Sequence, residues 1–152
     1  MEPRMNHPVM VVPGAMDALQ GLSSAAGETG VPFATLKMVE LRASQINGCS
    51  FCVEMHSREL RKAGESEERI ATVAAWREAT WFSDAERAAL ALTEAVTRIA
   101  DRPESITDAI WADAAEHYDE KQLSGLLLDI GAINIWNRLN AATRQPAGSY
   151  PT

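Results

Sequence analysis

The sequence predicts an all-α protein, and two of its features lead to this prediction. Apolar residues recur along the chain at spacings of three and four, which is the period of a helix buried on one face. The seven prolines leave two long proline-free tracts, residues 33–102 and 104–145, in which helices can run without interruption. A strand-like run appears only at residues 9–12. We therefore expect about six to seven helices in a single domain spanning residues 1–152.

The first three helices are separated by glycines. Apolar positions predict helices over residues 15–26, 32–47 and 49–63. Proline at the start of the second of these is favourable in a first helical turn. Gly48 suits the C-terminal cap of that helix, and Gly64 stops the third.

Four further helices follow in the second half of the chain. They are expected over residues 66–74, 83–99, 108–117 and 120–142. Ser66 and Thr107 stand where N-terminal caps belong. Ser83 and Glu86, three residues apart, have the spacing of a capping box and mark the start of the helix over 83–99.

The last helix is apolar on nearly every side. Its apolar residues are Leu123, Leu126, Leu127, Leu128, Ile130, Ile133, Ile135, Trp136 and Leu139. A helix that is apolar all round has to be buried all round, so we expect it at the centre of the fold or in a subunit interface. Asn134, Asn137 and Arg138, at the end of this helix, are expected to face water or a neighbouring subunit rather than to line a pocket.

The charge balance makes the protein acidic. Fourteen Lys and Arg against 21 Asp and Glu give a net charge of −7, and such a chain offers little to neutralise nucleic-acid phosphates. No apolar run approaches the ~20 residues of a membrane-spanning helix. The N-terminal sequence is too weakly apolar for a secretory signal peptide. We therefore expect a cytoplasmic protein that binds neither nucleic acid nor membrane.

The two cysteines, Cys49 and Cys52, are the most informative residues for chemistry. A chain of 152 residues can bury about two-thirds of its unfolded surface, so it needs no disulfide to fold. A bond between residues three apart also closes a loop too small to stabilise a fold much. In a reducing compartment this pair therefore indicates redox or metal chemistry rather than a structural framework.

Helical spacing places a histidine beside the cysteine pair. Cys49, Cys52 and His56 fall along one edge of the third helix, and Cys49 begins that edge, where the helix N-terminus favours a thiolate. Lowering a thiol pKa from about 8.5 to about 6.5 increases reactivity at pH 7 only about threefold, because nucleophilicity falls as well. A reactive cysteine therefore also needs a proton donor. His56 is the candidate donor, and Glu40 is placed to orient its imidazole and keep it protonated.

A longer motif surrounds the cysteine pair. Residues 40–56, ELRASQINGCSFCVEMH, continuing to residue 65 as RKAGE from Arg61, resemble the core motif of the AhpD-like alkylhydroperoxidases of the carboxymuconolactone decarboxylase superfamily. Residues 132–139 resemble the closing helix of that family. The resemblance spans about residues 33–142, with the redox core at 33–82.

The resemblance implies an all-helical AhpD-like fold that assembles into trimers or hexamers, with thiol peroxidase activity and no bound cofactor. It assigns Cys52 as the cysteine that a hydroperoxide oxidises and Cys49 as the one that resolves the sulfenic acid to a disulfide. A dithiol donor such as a lipoyl-bearing protein then reduces the disulfide, and His56 belongs to the proton relay. The helix argument by itself favours Cys49 as the more acidic thiol.

The sequence departs from the family pattern at two positions. Phe51 stands where the best-studied members have a histidine, and a phenyl ring cannot move a proton. Lys37 stands twelve residues before the first cysteine, where those members have a glutamate. Glu40, three residues later on the same helical face, is a candidate replacement; alternatively, Lys37 supports a thiolate by its charge.

Other functions remain open at this stage. The protein is alternatively a non-catalytic redox-sensing or binding module, or the cysteines are simply small buried residues. A zinc site would use Cys49, Cys52 and His56 with a fourth ligand from elsewhere, for which His7, His117 and Glu40 are the available donors. The decarboxylase branch of the superfamily is disfavoured, since its members generally lack the cysteine pair.

Overall fold

The computed structural model describes residues 2–148, and every regular element in this range is helical, as predicted. The α-helices are α1 (Pro8–Val11), α2 (Ala15–Gly27), α3 (Phe33–Asn47), α4 (Ser50–Lys62), α5 (Glu67–Thr72), α6 (Asp84–Thr97), α7 (Asp108–His117) and α8 (Glu120–Thr143). A 3₁₀ turn over Val73–Ala75 follows α5. None of the helices in the described range is both long and apolar enough to span a bilayer.

The number of helices exceeds the prediction by one because residues 9–12 do not behave as a strand. Pro8 occupies the first turn of α1, and the His7 side chain caps it by accepting a hydrogen bond from the Val9 N–H. The Val12 N–H donates to the Pro8 carbonyl and closes the turn. These local hydrogen bonds outweigh the β-propensity of a few valines.

The predicted helix starts are confirmed by capping hydrogen bonds. Ser66 and Thr107 each accept a bond from the backbone N–H three residues later. Ser83 and Glu86 form the reciprocal capping box at α6. A second capping box, which the sequence reading missed, joins Asp119 to Gln122 at α8.

The last helix, α8, is central, as its apolar circumference predicts. It packs against α2, α3 and α6 and touches α4 and α7. Leu126, Ile130 and Ile133 are at most 2% exposed, whereas Leu128 and Ile135 on the remaining edge are more than 40% exposed. The helix is therefore covered by its neighbours on most of its surface and presents one apolar edge outward.

The turn that ends α2 approaches α8 closely at Gly125. A Cβ atom at Gly125 would lie 2.8 Å from both Cβ and Cγ2 of Thr29, and closer still to its Oγ1. Thr29 is held there because its hydroxyl donates to the Ala26 carbonyl at 2.8 Å. Position 125 therefore accepts only glycine without displacing this turn.

Replacing Gly125 by alanine should destabilise the protein by about 1–3 kcal/mol, because the new methyl group overpacks the contact with Thr29. Gly131→Ala on the same helix is the matched control, since nothing lies within 4 Å of a Cβ placed there. That change should stabilise the protein by roughly 0.5–1 kcal/mol through helix propensity. Urea unfolding of both variants measures the difference, and equal effects at the two positions would contradict the packing argument.

Candidate redox site

The cysteine pair sits at the turn between α3 and α4. Gly48 caps α3 with φ of 69°, a left-handed conformation that glycine adopts without strain, and Cys49 follows as the N-cap of α4. Cys49 and Cys52 are joined by a disulfide with Cα atoms 5.4 Å apart. The Cys52 N–H donates to the Cys49 sulfur at 3.3 Å. Both cysteines are buried, at 3% and 1% exposure.

One of the two cysteines borders a cavity. This space of about 390 Å³ lies between α2, α3, α4 and α8, and Cys52 is part of its wall. Its apolar lining comes from Met16, Phe51, Met55, Ile133 and Trp136. Cys52 therefore borders a space of the size of a small molecule, in mainly apolar surroundings.

Four charged residues, hereafter the charged cluster, line one part of this cavity: Lys37, Glu40, His56 and Glu59. His56 Nδ1 lies 3.1 Å from Glu40 Oε2 and 2.9 Å from Glu59 Oε2. Lys37 Nζ lies 2.6 Å from Glu40 Oε2 and 3.7 Å from Glu59 Oε2. The geometry that the sequence predicts between Glu40 and His56 is therefore present, and Glu59 joins it as a second carboxylate.

The charged cluster changes the protonation of its members. Burial by itself lowers the pKa of His56, but the hydrogen bonds and negative charges of Glu40 and Glu59 raise it to about 9. Burial raises the pKa of Glu40, and the hydrogen bonds and positive charges of His56 and Lys37 overcome this and lower it below the usual range. His56 is therefore an imidazolium at neutral pH, with Nδ1 donating to Glu59 Oε2 and pairing electrostatically with Glu40. Its Nε2 is buried without a hydrogen-bond partner among the described residues.

A buried acid, Asp129 of α8, lies behind the charged cluster and was missed in the sequence. It is 3% exposed. Burial and the negative charge of Glu40 raise its pKa well above the usual range, so it is largely neutral at pH 7. The available signal was an aspartate within the most apolar stretch of the last helix, where an unpaired carboxylate would be costly.

Asparagines on α8 connect the site to the rest of the fold. The Asn140 Nδ2 donates to the Cys52 sulfur at 3.2 Å. The Asn137 Nδ2 donates to Ser44 Oγ at 3.0 Å, and the Asn47 side chain donates to Asn134 and Asn137. The expectation that Asn137 faces water or a subunit is wrong, because it is fully buried in this network. No pattern in the sequence indicated the contact of Asn140 with Cys52, because the two residues are 88 positions apart.

The remaining sequence candidates are distributed as follows. Phe51 forms part of the cavity wall. His117 is the last residue of α7 and lines a surface depression with Asp113 and Glu116. The zinc arrangement of Cys49, Cys52 and His56 is not available in this structure, because both sulfurs are used in the disulfide. His7, considered only as a fourth zinc ligand, packs its ring against Trp136 with centroids 5.6 Å apart.

The free energy of unfolding of the oxidised protein should fall between pH 6.5 and about 9. Below pH 6.5 His56 is charged in both folded and unfolded protein, and its contribution is complete; this contribution is lost as the pH rises through about 9. Asp129 adds a decline in the same direction, because its pKa is also raised in the fold. The part due to His56 is roughly 2–3 kcal/mol.

Denaturant unfolding at several pH values measures this dependence. His56→Gln should lack the decline due to His56, whereas His117→Gln should keep it. An identical slope in the His56→Gln protein would show that the charged cluster does not hold the imidazolium.

Two curated relatives have sequences similar to this chain over most of its length. The uncharacterized protein YdfG of Bacillus subtilis (strain 168) is 36% identical over 139 residues, which cover 91% of this chain and 93% of YdfG. The uncharacterized protein YnjA of Escherichia coli (strain K12) is 34% identical over 110 residues, or 72% of this chain and 59% of YnjA.

Solved structures share the helical arrangement. ATU0492 of Agrobacterium tumefaciens, a protein of unknown function for which an AhpD antioxidant defence role has been suggested, is 33% identical with a TM-score of 0.89 over 98% of this chain and all of its own. The debrominase Bmp8 shares the fold at 20% identity, with a TM-score of 0.79 over 90% of this chain and 73% of its own. The model of the carboxymuconolactone decarboxylase family matches residues 13–95. The chain therefore belongs to the carboxymuconolactone decarboxylase family, with an AhpD-like all-α fold.

Proposed function

We propose that the protein is a thiol-dependent alkylhydroperoxidase whose cysteine pair cycles between dithiol and disulfide. The observation that carries the proposal is the position of Cys52. Its sulfur is bonded to Cys49, and Cys52 lines the same cavity as the charged imidazole of His56. A sulfur that a small molecule can reach, a second sulfur to resolve it and a proton donor are the three groups that reduction of a peroxide needs.

The reaction uses these groups in sequence. The Cys52 thiolate attacks the terminal oxygen of the hydroperoxide; the O–O bond breaks, the alkoxide takes a proton from His56 and leaves as the alcohol, and Cys52 becomes a sulfenic acid. Cys49 then attacks the Cys52 sulfur, which forms the disulfide and releases water. An external dithiol, such as a lipoyl-bearing protein, reduces the disulfide and restores both thiols. This order agrees with the position of Cys52 in the cavity wall.

His56 supplies the proton to the leaving alcohol. Its Nδ1 is engaged with Glu40 and Glu59, so the proton on Nε2 is the one without a protein acceptor. Glu40 orients the ring and keeps it charged, in the place of the glutamate that the family has at position 37. Lys37 also holds Glu40 in its ionised form, with Nζ 2.6 Å from Oε2, the oxygen that pairs with His56.

The cavity and the surface indicate the partners. The apolar lining of the cavity, with Met16, Met55 and Trp136, favours an organic hydroperoxide over hydrogen peroxide. The exposed apolar edge of α8, at Leu128 and Ile135, is suited to a neighbouring subunit. We propose a cytoplasmic homo-oligomer, a trimer or hexamer, built from one domain per chain.

A second candidate function is a redox sensor that forms the disulfide without turnover. Phe51 favours it, because this side chain stands between the two cysteines where a proton-carrying histidine would assist catalysis. A sensor and an enzyme form the same disulfide; they differ in whether a dithiol donor sustains peroxide consumption.

Reduced protein should lose two thiols on reaction with one equivalent of an alkyl hydroperoxide. Cys52→Ser should abolish the reaction, because the attacking sulfur is gone, whereas Cys49→Ser should allow one oxidation and stop at the sulfenic acid. Thiol counting and a sulfenic-acid probe measure both. Sustained peroxide consumption with a lipoyl donor separates the enzyme from the sensor, and retention of both thiols in the unmodified protein would overturn both functions.

His56→Gln should slow the oxidation of Cys52 by about 10²–10⁴-fold, since the proton donor is lost. Glu40→Gln should slow it less and lower the pH at which His56 loses its proton, because the negative charge that stabilises the imidazolium is absent. Stopped-flow oxidation rates from pH 6 to 10 provide the measurement. Glu68→Gln on the exposed surface of α5 is the control, and an equal loss in that variant would contradict a specific role for the charged cluster.

A further inference from the structure

A buried asparagine fixes how α8 lies against α3. Asn137 is fully buried, its Nδ2 donates to Ser44 Oγ at 3.0 Å, and its side-chain oxygen accepts from Asn47 Nδ2 at 2.9 Å. The Ser44 hydroxyl donates in turn to the Glu40 carbonyl at 2.7 Å, so it is oriented within α3. These bonds oppose rotation and sliding of α8, and they set the direction of the residues one turn further along it.

The next turn of α8 brings a second amide to the cysteine pair. Asn140 follows Asn137 by three residues and therefore lies on nearly the same face of the helix. Its Nδ2 donates to Cys52 Sγ at 3.2 Å. Asn140 is buried, and it lines the cavity together with Cys52. The Asn140 amide therefore contacts both the sulfur and the cavity beside it.

The two sulfurs accept hydrogen bonds from different donors. Cys49 is the N-cap of α4, and its Sγ accepts the backbone N–H of Cys52 at 3.3 Å. Such a donor at a helix N-terminus is the reason to expect Cys49 to be the more acidic thiol. Cys52 Sγ accepts the side-chain N–H of Asn140. Each sulfur thus has an amide N–H that stabilises a negative charge on it.

The reduced cysteine pair carries one negative charge more readily than two. Two thiolates close enough to form a disulfide repel each other, so ionisation of one sulfur disfavours ionisation of the other. The donors to Cys49 and Cys52 therefore compete for a single charge. Their distances to the sulfurs, 3.3 Å and 3.2 Å, are nearly equal. Removal of either donor should consequently move the charge to the other sulfur.

We propose that Asn140 is a catalytic residue, whose amide N–H places the negative charge of the reduced pair on Cys52 rather than on Cys49. A hydrogen bond to an ionised acceptor is about twice as strong as one between neutral groups, so this donor favours the Cys52 thiolate over the thiol. Among the described residues that line the cavity, Cys52 is the only cysteine. Asn140 therefore puts the charge on the sulfur beside the cavity. The inference rests on the proposed function only in taking Cys52 as the reacting sulfur.

The role of Asn140 is distinct from proton transfer. An amide neither gains nor loses a proton between pH 5 and 10, so Asn140 does not replace a proton-carrying histidine at position 51. Replacing it also leaves the titratable groups around the site in place. These groups belong to α3, α4, α8 and the N-terminal segment, and they are Lys37, Glu40, His56, Glu59, Asp129 and His7. They provide a common background in all the variants below.

Limited alkylation of the reduced protein by iodoacetamide at pH 7 tests the inference without any peroxide. Both cysteines lie in one tryptic peptide, residues 43–58, and tandem mass spectrometry gives the ratio of alkylation at Cys52 to that at Cys49. Cys52 should predominate in the unmodified protein. Asn140→Leu, which removes the amide at similar volume, should lower the ratio about threefold. The charge distribution changes about tenfold, and the higher nucleophilicity of the unstabilised thiolate offsets part of this change.

Single-cysteine proteins separate an effect on one sulfur from an effect on packing. In reduced Cys49→Ser protein, Asn140→Leu should move the midpoint of the pH–rate profile for alkylation of Cys52 upward by about one unit. In Cys52→Ser protein, the same change should leave the profile of Cys49 where it was, because the amide donates at position 52. Asn140→Asp has the same shape and, once ionised, places a negative charge beside Cys52. It should raise the midpoint further than Asn140→Leu.

The outcomes decide the inference as follows. Circular-dichroism melting identifies any variant that is not folded, and the other Asn140 variant then decides. An unchanged alkylation ratio in the folded variants, or equal midpoint shifts for Cys49 and Cys52, would overturn the inference. A protein that shows the shift at Cys52 alone but fails to reduce hydroperoxides would retain this inference and lose the proposed function.

Discussion

The pairing of α3 with α4 determines the geometry of the candidate site. Only Gly48 and Cys49 separate the two helices, and the left-handed φ of Gly48 turns the chain back on itself within this short connection. As a result, the face of α3 that carries Lys37 and Glu40 meets the face of α4 that carries His56. The same turn makes Cys49 the N-cap of α4 and fixes Cys52 three residues later at the first turn. The cysteine pair and the charged cluster are thus two consequences of one connection.

The charged cluster is stable in a buried place because its charges balance. The positive Lys37 and His56 face the carboxylates of Glu40 and Glu59, and Asp129 behind them is neutral because the negative charge of Glu40 and burial disfavour its ionisation. An isolated charge in this position would cost several kcal/mol. The arrangement explains why a lysine is acceptable where the family pattern has a glutamate: the second carboxylate is supplied from α4, and the imidazolium remains charged.

Membership of the family defines the helical frame, but the reaction depends on the side chains within it. Bmp8 has the same fold and is a debrominase, so this frame supports more than one kind of chemistry. In the present chain the proposed reaction uses Cys52 in the wall of an apolar cavity and the His56 imidazolium in the same wall, while the Asn140 amide donates to the Cys52 sulfur. Asn140 reaches this sulfur from α8, 88 residues further along the chain.

The sequence by itself determined the features that depend on neighbours a few residues apart. The helical period, the caps at Ser66, Ser83 and Thr107, and the spacing of Cys49, Cys52 and His56 are all local. The predicted contact of Glu40 with His56 is present too, across the short turn between α3 and α4. The tertiary structure alone decided which distant groups join them. Asp129 and Asn140 come to the site only because α8 passes through the centre of the fold, and no periodicity along the chain encodes a contact across 88 residues. Residues 9–12 form too short a run for their pattern to decide between strand and helix. The His7 cap and Pro8 make this segment a helical turn despite its β-propensity.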